Sequence, residues 1–377
     1  LSSENLPAIV STDRALKSLV ARLQEEPLIA VDTESNSLYA YYQRVCLIQI
    51  STRGGDWVID PLVFSKLDLL APIFANPNIE KVFHAAEYDI MCLKRDFEFT
   101  FSNLFDTMVS GRILGMKLLG LGNMLETFFG VRVDKKYQRA DWSVRPIPVE
   151  QLRYAQHDTH YLLDLRDVMI RQMEEKGCLV EAREVFNLMT EIPAAAQYTF
   201  DMEGYWRINR ARDLDRRQMA ILRELYLWRD DLAAQLDRPP FKVATDETLV
   251  AIAVEAPTTT EALKKVLGRH SVMQYHTSIL SAVKEGLVAK FPQRPTRDPR
   301  LDPVTQARYD ALHEWRKARA MERGVESDVI IPRESLWAMA RTSPRTPEDL
   351  TAIPGMGPWK RERYGAELLA LLAGFTE

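Results

Sequence analysis

Cysteine is scarce in this chain: its 377 residues hold three, Cys46, Cys92 and Cys178, scattered and without metal-type spacing. That usage argues against a disulfide framework and for a reducing cytoplasm. Long apolar runs are also missing. The richest, Leu67 to Phe74, carries aspartate and proline and is far too short to span a bilayer, so no membrane association is expected. The first ten residues lack the basic start and apolar stretch of a secretory signal, and the absent initiator Met points to a trimmed start. Neither sign of charge dominates, since 49 Lys+Arg face 53 Asp+Glu for a formal net charge of −4. A polyanionic partner would have to be met by local basic patches or by metal ions, because fields are local and net charge is not. No Gly-x-x-x-x-Gly-Lys-Ser/Thr loop occurs, so no helicase P-loop accompanies whatever chemistry is present.

What is present divides at about residue 195. Before it, apolar runs at Leu28–Asp32, Val45–Ser51, Trp57–Asp60 and Lys81–His84 read as strands. Helical patterns cover Thr12–Glu25, Leu67–Ala75, Tyr88–Phe97, Thr107–Leu114, Asn123–Phe129 and Val149–Lys176. The first three strands are spaced for hairpins and the fourth is separated by helical sequence, which predicts a mixed sheet flanked by helices. After 195 only helical patterns remain, and they repeat. Trp228, Leu249, Ala251, Pro257, Leu263 and Gly268 recur as Trp315, Leu336, Ala338, Pro344, Leu350 and Gly355, every pair 87 residues apart. Three domains are expected: 1–195, and two small helical copies at 211–290 and 302–377, joined by the proline-rich stretch Phe291–Pro299.

Three segments of the first domain carry the chemistry. In Leu28-Ile-Ala-Val-Asp32-Thr-Glu34, strand alternation turns Asp32 and Glu34 to one face, and a bound hard cation would relieve their repulsion. A solvated strand-to-loop turn would use the same residues. In Tyr154-Ala-Gln-His-Asp158, a phenol and a carboxylate stack one helical turn apart, with His157 and His160 pointing elsewhere. Asp89 follows the strand ending at His84 and opens a helix; it could be a helix cap, as Asp106 is expected to be before Thr107.

Asp-x-Glu, then an Asp after a strand ending in His, then Tyr-x-x-x-Asp resembles the DEDD superfamily of 3′–5′ exonucleases. The residue five before Asp158 is Arg153, not His, which resembles the tyrosine subgroup. Tyr42 with Leu47-Ile-Gln-Ile, Lys81-Val-Phe-His84-Ala, Phe105-Asp-Thr, Ala140-Asp-Trp-Ser-Val-Arg-Pro and Gln151-Leu-Arg-Tyr-Ala look like the bacterial ribonuclease D family. The helical copies resemble HRDC domains, accessory nucleic-acid-binding modules. The resemblance implies a ribonuclease H-like α/β domain followed by two all-α modules. It also implies two Mg²⁺ or Mn²⁺ ions roughly 3.5–4 Å apart. Asp32 would bridge them, Glu34 and Asp158 would complete the water-activating site, and Asp89 would serve the second ion. Tyr154 would orient the attacking water.

Implied as well are Lys135-Lys136, with Lys136 foremost, as substrate contacts, and RNA with a free 3′ end, tRNA precursors above all, as partner; His84 could likewise contact the substrate end or merely cap its strand. No obligate protein partner is evident. The alternatives are a DNA-directed 3′–5′ exonuclease and a catalytically inactive nucleic-acid-binding scaffold. The chain departs from the family pattern at Ser35-Asn36-Ser37, where a Phe and an Arg are common, which leaves terminal-nucleotide preference open. Further candidate phosphate contacts lie at Arg207, Arg210, Arg212, Arg216 and Arg217, at Arg316, Lys317, Arg319 and Arg323, and at Lys360, Arg361 and Arg363. The turn Pro354-Gly-Met-Gly357-Pro could offer backbone N–H groups to a phosphate, although a tight helix–helix turn is the plainer reading.

Overall fold

Strand β2 (Leu28–Ser35) begins with an apolar run that is buried from Ile29 to Val31, and all eight residues of β3 (Val45–Thr52) are buried. Strands this apolar need cover on both faces. They sit at the centre of a six-stranded sheet ordered β1-β4-β3-β2-β5-β6. The others are β1 (Ala8–Val10), β4 (Gly55–Ile59), β5 (Glu80–Phe83) and β6 (Leu104–Asp106). β3 pairs antiparallel with β2 and β4, and the remaining pairs are parallel, so the sheet is mixed as expected. This computed structural model describes residues 6–196, 198–268, 271–295 and 302–375. They cluster into two units: one takes the chain to Ser35, Val45–Ala195 and the described residues after 301, and the other takes Asn36–Arg44 with the described residues from 196 to 295.

In the first unit the sheet is covered by α1 (Asp13–Leu23), α2 (Ala71–Ala75), α3 (Glu87–Phe97), α4 (Thr107–Ile113) and α5 (Leu121–Phe129). Then follow α6 (Val149–His160), α7 (Leu162–Glu175) and α8 (Leu179–Met189). Thr12 caps α1 and Asp106 caps α4, each accepting a backbone N–H of the first turn. Three expectations need correction. The helix predicted over Val149–Lys176 is two, broken at Tyr161, without a glycine or proline at the break. α3 starts at Glu87, so Asp89 lies inside its first turn and is not its cap. The strands β1 and β6 had not been expected.

The second unit holds α9 (Arg216–Gln235), α10 (Pro240–Val243), α11 (Asp246–Glu255), α12 (Thr260–Leu267) and α13 (His276–Val288). Gly286 lets α13 close on α9, since a Cβ there would lie 2.5 Å from the Ile221 Cα. The segment Asn36–Arg44 belongs to this unit: the Tyr41 hydroxyl donates to Asp230 at 2.7 Å, and the Tyr41 and Tyr42 amides donate to Asp237 at 3.0 Å. The second helical copy, in the first unit, comprises α14 (Pro303–Arg323), α15 (Ser327–Ile330), α16 (Arg333–Thr342) and α17 (Pro358–Ala373).

The repeat is structural. α10 and α11 map onto α15 and α16 end to end at the same offset. Arg229 donates to the Ala244 carbonyl and Arg316 to the Ile331 carbonyl, both at 3.1 Å and both buried. Each copy therefore keeps an arginine as an internal strut, which removes Arg316 from the candidate phosphate contacts. The copies differ after their third helix, where α12 is matched by a single 3₁₀ turn over Asp349–Ala352. The linker residues 296–299, with Arg269 and His270 of the first copy's turn, lie outside the described residues.

Arg323 and Lys360 are likewise engaged within the first unit. Arg323 grips both oxygens of Glu181 on α8, at 2.7 and 3.0 Å, and donates to Tyr364 at 2.9 Å. Lys360 is buried, its ammonium pushed down in pKa by burial and partly restored by Glu181 and Glu184. Glu184 also fills the Gly357 turn: it accepts the Trp359 N–H at 2.5 Å, and a side chain at Gly357 would strike its carboxylate. That turn binds a carboxylate of its own chain. Backbones meet closely here too, since a Cβ on Gly115 (φ 75°) would lie 2.6 Å from the Gly324 carbonyl.

Candidate active site

β2 ends in polar residues where β3 still offers it a partner, so Asp32 and Glu34 are held rigidly on the ladder, opposite Gln49 and Leu47. A bulge between Glu34 and Ser35 then breaks the register. Their shared face looks toward α6: on the same face Ser51 bonds Thr159 at 2.7 Å, and Asp56 takes Gln156 at 2.7 Å and His160 at 2.8 Å. α6 is pinned over the sheet by these contacts and brings Asp158 to the two acids. One oxygen each of Asp32, Glu34 and Asp158 lies within 4.8 Å of the others.

Asp89 is placed differently. It is buried and accepts the hydroxyl of Thr33, the residue between the two strand acids, and it stands outside the three-residue donor cluster. Its charge still reaches the site. Burial pushes the Asp32 carboxyl well above its ordinary range, followed by the charges of Asp89, Asp158 and Glu34. Glu34 rises through burial, then through Asp158 and Asp89. Asp89 and Asp158 are also raised, burial being the first cause for both. So many carboxylates in one enclosed site resist ionising together. A divalent cation relieves both the burial and the repulsion, and an all-oxygen donor set suits hard Mg²⁺ or Mn²⁺.

Tyr154, one turn before Asp158, lines the same cavity of about 350 Å³ with Asp32, Glu34, Asp158, His84 and Lys135. Burial and then the charge of Asp158 raise its phenol further, so it holds its proton. The ring rests near Trp142 (5.9 Å between centroids) and Tyr137 (6.3 Å). Trp142 is held by Arg145, which grips Asp60 with two nitrogens at 2.6 and 2.8 Å and donates to the Trp142 and Cys46 carbonyls at 2.7 and 2.9 Å. His84 donates to or accepts from the Thr107 hydroxyl at 2.8 Å, and burial lowers its pKa, which favours the neutral ring.

Lys136 is not among the cavity residues; Lys135 is. The Asp134 side chain accepts the Lys136 amide at 2.9 Å and turns the chain. The Lys136 ammonium then lies 5.2 Å from the Tyr137 ring centre. Two residues behind the acids escaped the sequence reading. Arg145 braces the Trp142 loop, and only its place in a quoted motif hinted at this. Gln49, fully buried opposite Asp32, has neither amide atom hydrogen-bonded. A glutamine in an apolar strand was the available signal. Among the described residues no helix is long and apolar enough to cross a membrane, and the three cysteines are buried and outside any disulfide.

A 3′–5′ exonuclease family model matches residues 7–174, and an HRDC domain model matches twice, at 218–283 and 305–372. The exosome complex exonuclease RRP6 of Saccharomyces cerevisiae is 35% identical over 68% of this chain and 37% of its own. The chain spans about a third of the length of that protein and its plant homologues. A ribonuclease D from Gluconacetobacter diazotrophicus is 29% identical over 98% of this chain and 93% of its own. Among solved structures, the catalytic core of RRP6 from Trypanosoma brucei is 35% identical, covering 76% of this chain and 81% of that one with a TM-score of 0.70. Escherichia coli RNase D, described as an exoribonuclease involved in structured RNA processing, is 25% identical, covering 98% of this chain and all of that one with a TM-score of 0.67.

Proposed function

Because the chain belongs to the ribonuclease D family of 3′–5′ exonucleases, with two HRDC domains after the nuclease domain, we propose that it trims structured RNA from a free 3′-hydroxyl end. It releases nucleoside 5′-monophosphates one at a time, and tRNA precursors are the foremost substrates. The cluster of Asp32, Glu34 and Asp158 in one cavity with Tyr154 carries this reading. Support for RNA over DNA comes from what the similar proteins are called. Three buried cysteines outside any disulfide fit a cytoplasmic site of action.

Two divalent ions, Mg²⁺ or Mn²⁺, are the cofactors the donor set suits; when bound they supply water activation and charge stabilisation of the leaving 3′-oxygen. Asp32, Glu34 and Asp158 would hold them, and Asp89, fixed by Thr33, would add negative charge to the site. Tyr154 keeps its proton and orients the attacking water by hydrogen bond. His84, favoured as the neutral ring, offers the substrate end a hydrogen bond without a charge.

The test offers 3′-hydroxyl RNA, 3′-phosphate RNA and matched DNA with Mg²⁺ or Mn²⁺. Stepwise shortening of the first, stopped by EDTA, is expected. Tyr154→Phe should lower turnover roughly 10²-fold and leave RNA binding unchanged. No laddering, or laddering insensitive to EDTA, defeats the reading. Equal or faster shortening of DNA assigns the site to a DNA exonuclease, and unchanged function in Asp32→Asn marks a scaffold.

A further inference from the structure

The second unit contains a groove of about 1100 Å³ between the segment that enters α9 and the one that leaves α13. Trp206, Arg212 and Arg216 line it from the first segment, and Phe291 and Arg294 from the second. Among the described residues no carboxylate lines it. The groove thus concentrates positive charge in a chain whose net charge is negative.

Its aromatic rings are set in advance. Trp206 donates its indole N–H to Glu203 at 2.9 Å and leans on Tyr205, 5.3 Å between centroids. Phe291 has one face against the Arg217 guanidinium, 4.5 Å from the ring centre, and remains 48% exposed. Arg217 is itself fixed by the Gly286 and Ala289 carbonyls, each at 2.9 Å. Neighbouring cations are engaged as well: Arg207 pairs with Asp201 and Arg210 with Asp213. Arg212, Arg216 and Arg294 are exposed and, among the described residues, form no ion pair.

Free guanidinium groups alone would take any anion, and rings alone any apolar surface. Fixed π-faces beside unpaired arginines favour a polymer that alternates phosphate with flat unstacked rings. An acidic peptide brings the charge without the rings, and a duplex hides its base faces. We infer that this groove binds a single-stranded stretch of RNA through internal nucleotides, separately from the 3′ end held by the acidic cavity. The inference rests on the RNA reading of the nuclease site.

The experiment uses the full chain carrying Asp32→Asn, in EDTA, with a 5′-fluorescein single-stranded RNA followed by anisotropy across a salt series. Arg212→Gln/Arg216→Gln/Arg294→Gln should weaken binding at least tenfold at low salt and reduce the log–log salt slope by about 2. Phe291→Ala should weaken it about tenfold and leave the slope alone. These side chains are exposed, so an unchanged melting temperature is the folding control. Wild-type affinity and slope in the arginine variant overturn the proposal. So does equal competition by duplex RNA, while equal competition by polyglutamate would assign the groove to an acidic protein. Since nothing is cleaved in this assay, RNA affinity lost in the variants stands even if the nuclease reading fails. Conversely, an active enzyme whose groove variants bind and trim RNA normally rejects the groove alone.

Discussion

Replacing Asp158 by Asn should make the metal-stripped protein more stable while abolishing its chemistry. Asp158 is pushed up to about 7, from an ordinary 3.8, by burial and then by the charge of Asp89. A carboxyl whose pKa is higher in the folded state binds protons preferentially there. Folding stability therefore falls as pH rises from about 4, and the loss is complete once pH passes the folded value. The full displacement is worth about 4 kcal/mol. Asp158 keeps a partly solvated edge, so about 2 kcal/mol is the working expectation. Asn keeps the shape and drops the charge, which also eases Asp32 and Glu34, both of which feel Asp158. In EDTA at pH 8, calorimetry should give the variant the higher melting temperature, with a smaller advantage at pH 5. Saturating Mg²⁺ should reverse the order, because ligand binding stabilises only the protein that still holds it. A variant that melts at or below wild type in EDTA at pH 8 refutes the claim that these acids are crowded beyond what burial tolerates.

Two further outcomes test residues outside the chemistry. Arg323→Ala leaves Glu181, 1% exposed, with a buried unpaired charge, and should cost about 3–5 kcal/mol. Arg323→Met with Glu181→Leu should recover most of that. A loss under about 1 kcal/mol in the single variant, by urea unfolding, would mean the pair is screened like a surface pair. Gln49→Met removes two buried amide atoms without partners and should leave the melting temperature in EDTA unchanged or slightly higher. A clear drop would show that Gln49 has a bonded partner in solution.

The parts of the molecule legible in its sequence are those with a local signal. β2, β3, β4 and β5 declare themselves by apolar runs, and the helical copies by an offset that nothing interrupts. β1 and β6, three residues each, are too short for periodicity to register; they exist because neighbouring strands offer them edges. The break at Tyr161 has no glycine or proline behind it, so nothing local marked it. The acids of the site were readable because strand and helix periods fix which side chains share a face. The fate of the basic residues was not. Glu181 and Glu184 lie some 140 to 175 residues from Arg323 and Trp359, and no pattern along the chain announces such partners. Lys135 and Lys136 make the same point at close range, since one aspartate-anchored turn decides which of two adjacent lysines faces the cavity.

The two helical copies keep one internal frame and spend their surface charge differently. Both bury the arginine at the same position, 229 and 316, against the same carbonyl of the fold. Beyond that strut, the second copy directs two arginines and one backbone turn to acids of its own chain: Arg319 to Glu367, Arg323 to Glu181, and the Gly357 turn to Glu184. Each of those pairings consumes a group that could have met a phosphate, and on the Glu181 side the pair is almost wholly desolvated. The second copy is therefore built as a brace on the domain that carries α8. The flanks of the first copy engage Arg207, Arg210 and Arg217 but leave Arg212, Arg216 and Arg294 beside the half-buried Trp206 and the exposed Phe291. Given one frame, the proposed groove and the brace differ in whether acids elsewhere in the chain pair with these groups. Removing the partner acid should then unmask affinity in the second copy: Glu184→Ala empties the Gly357 turn and frees the Trp359 N–H, and its RNA binding should rise in low salt. An unchanged salt-dependent affinity in that variant would show that the brace was never a nucleic-acid face.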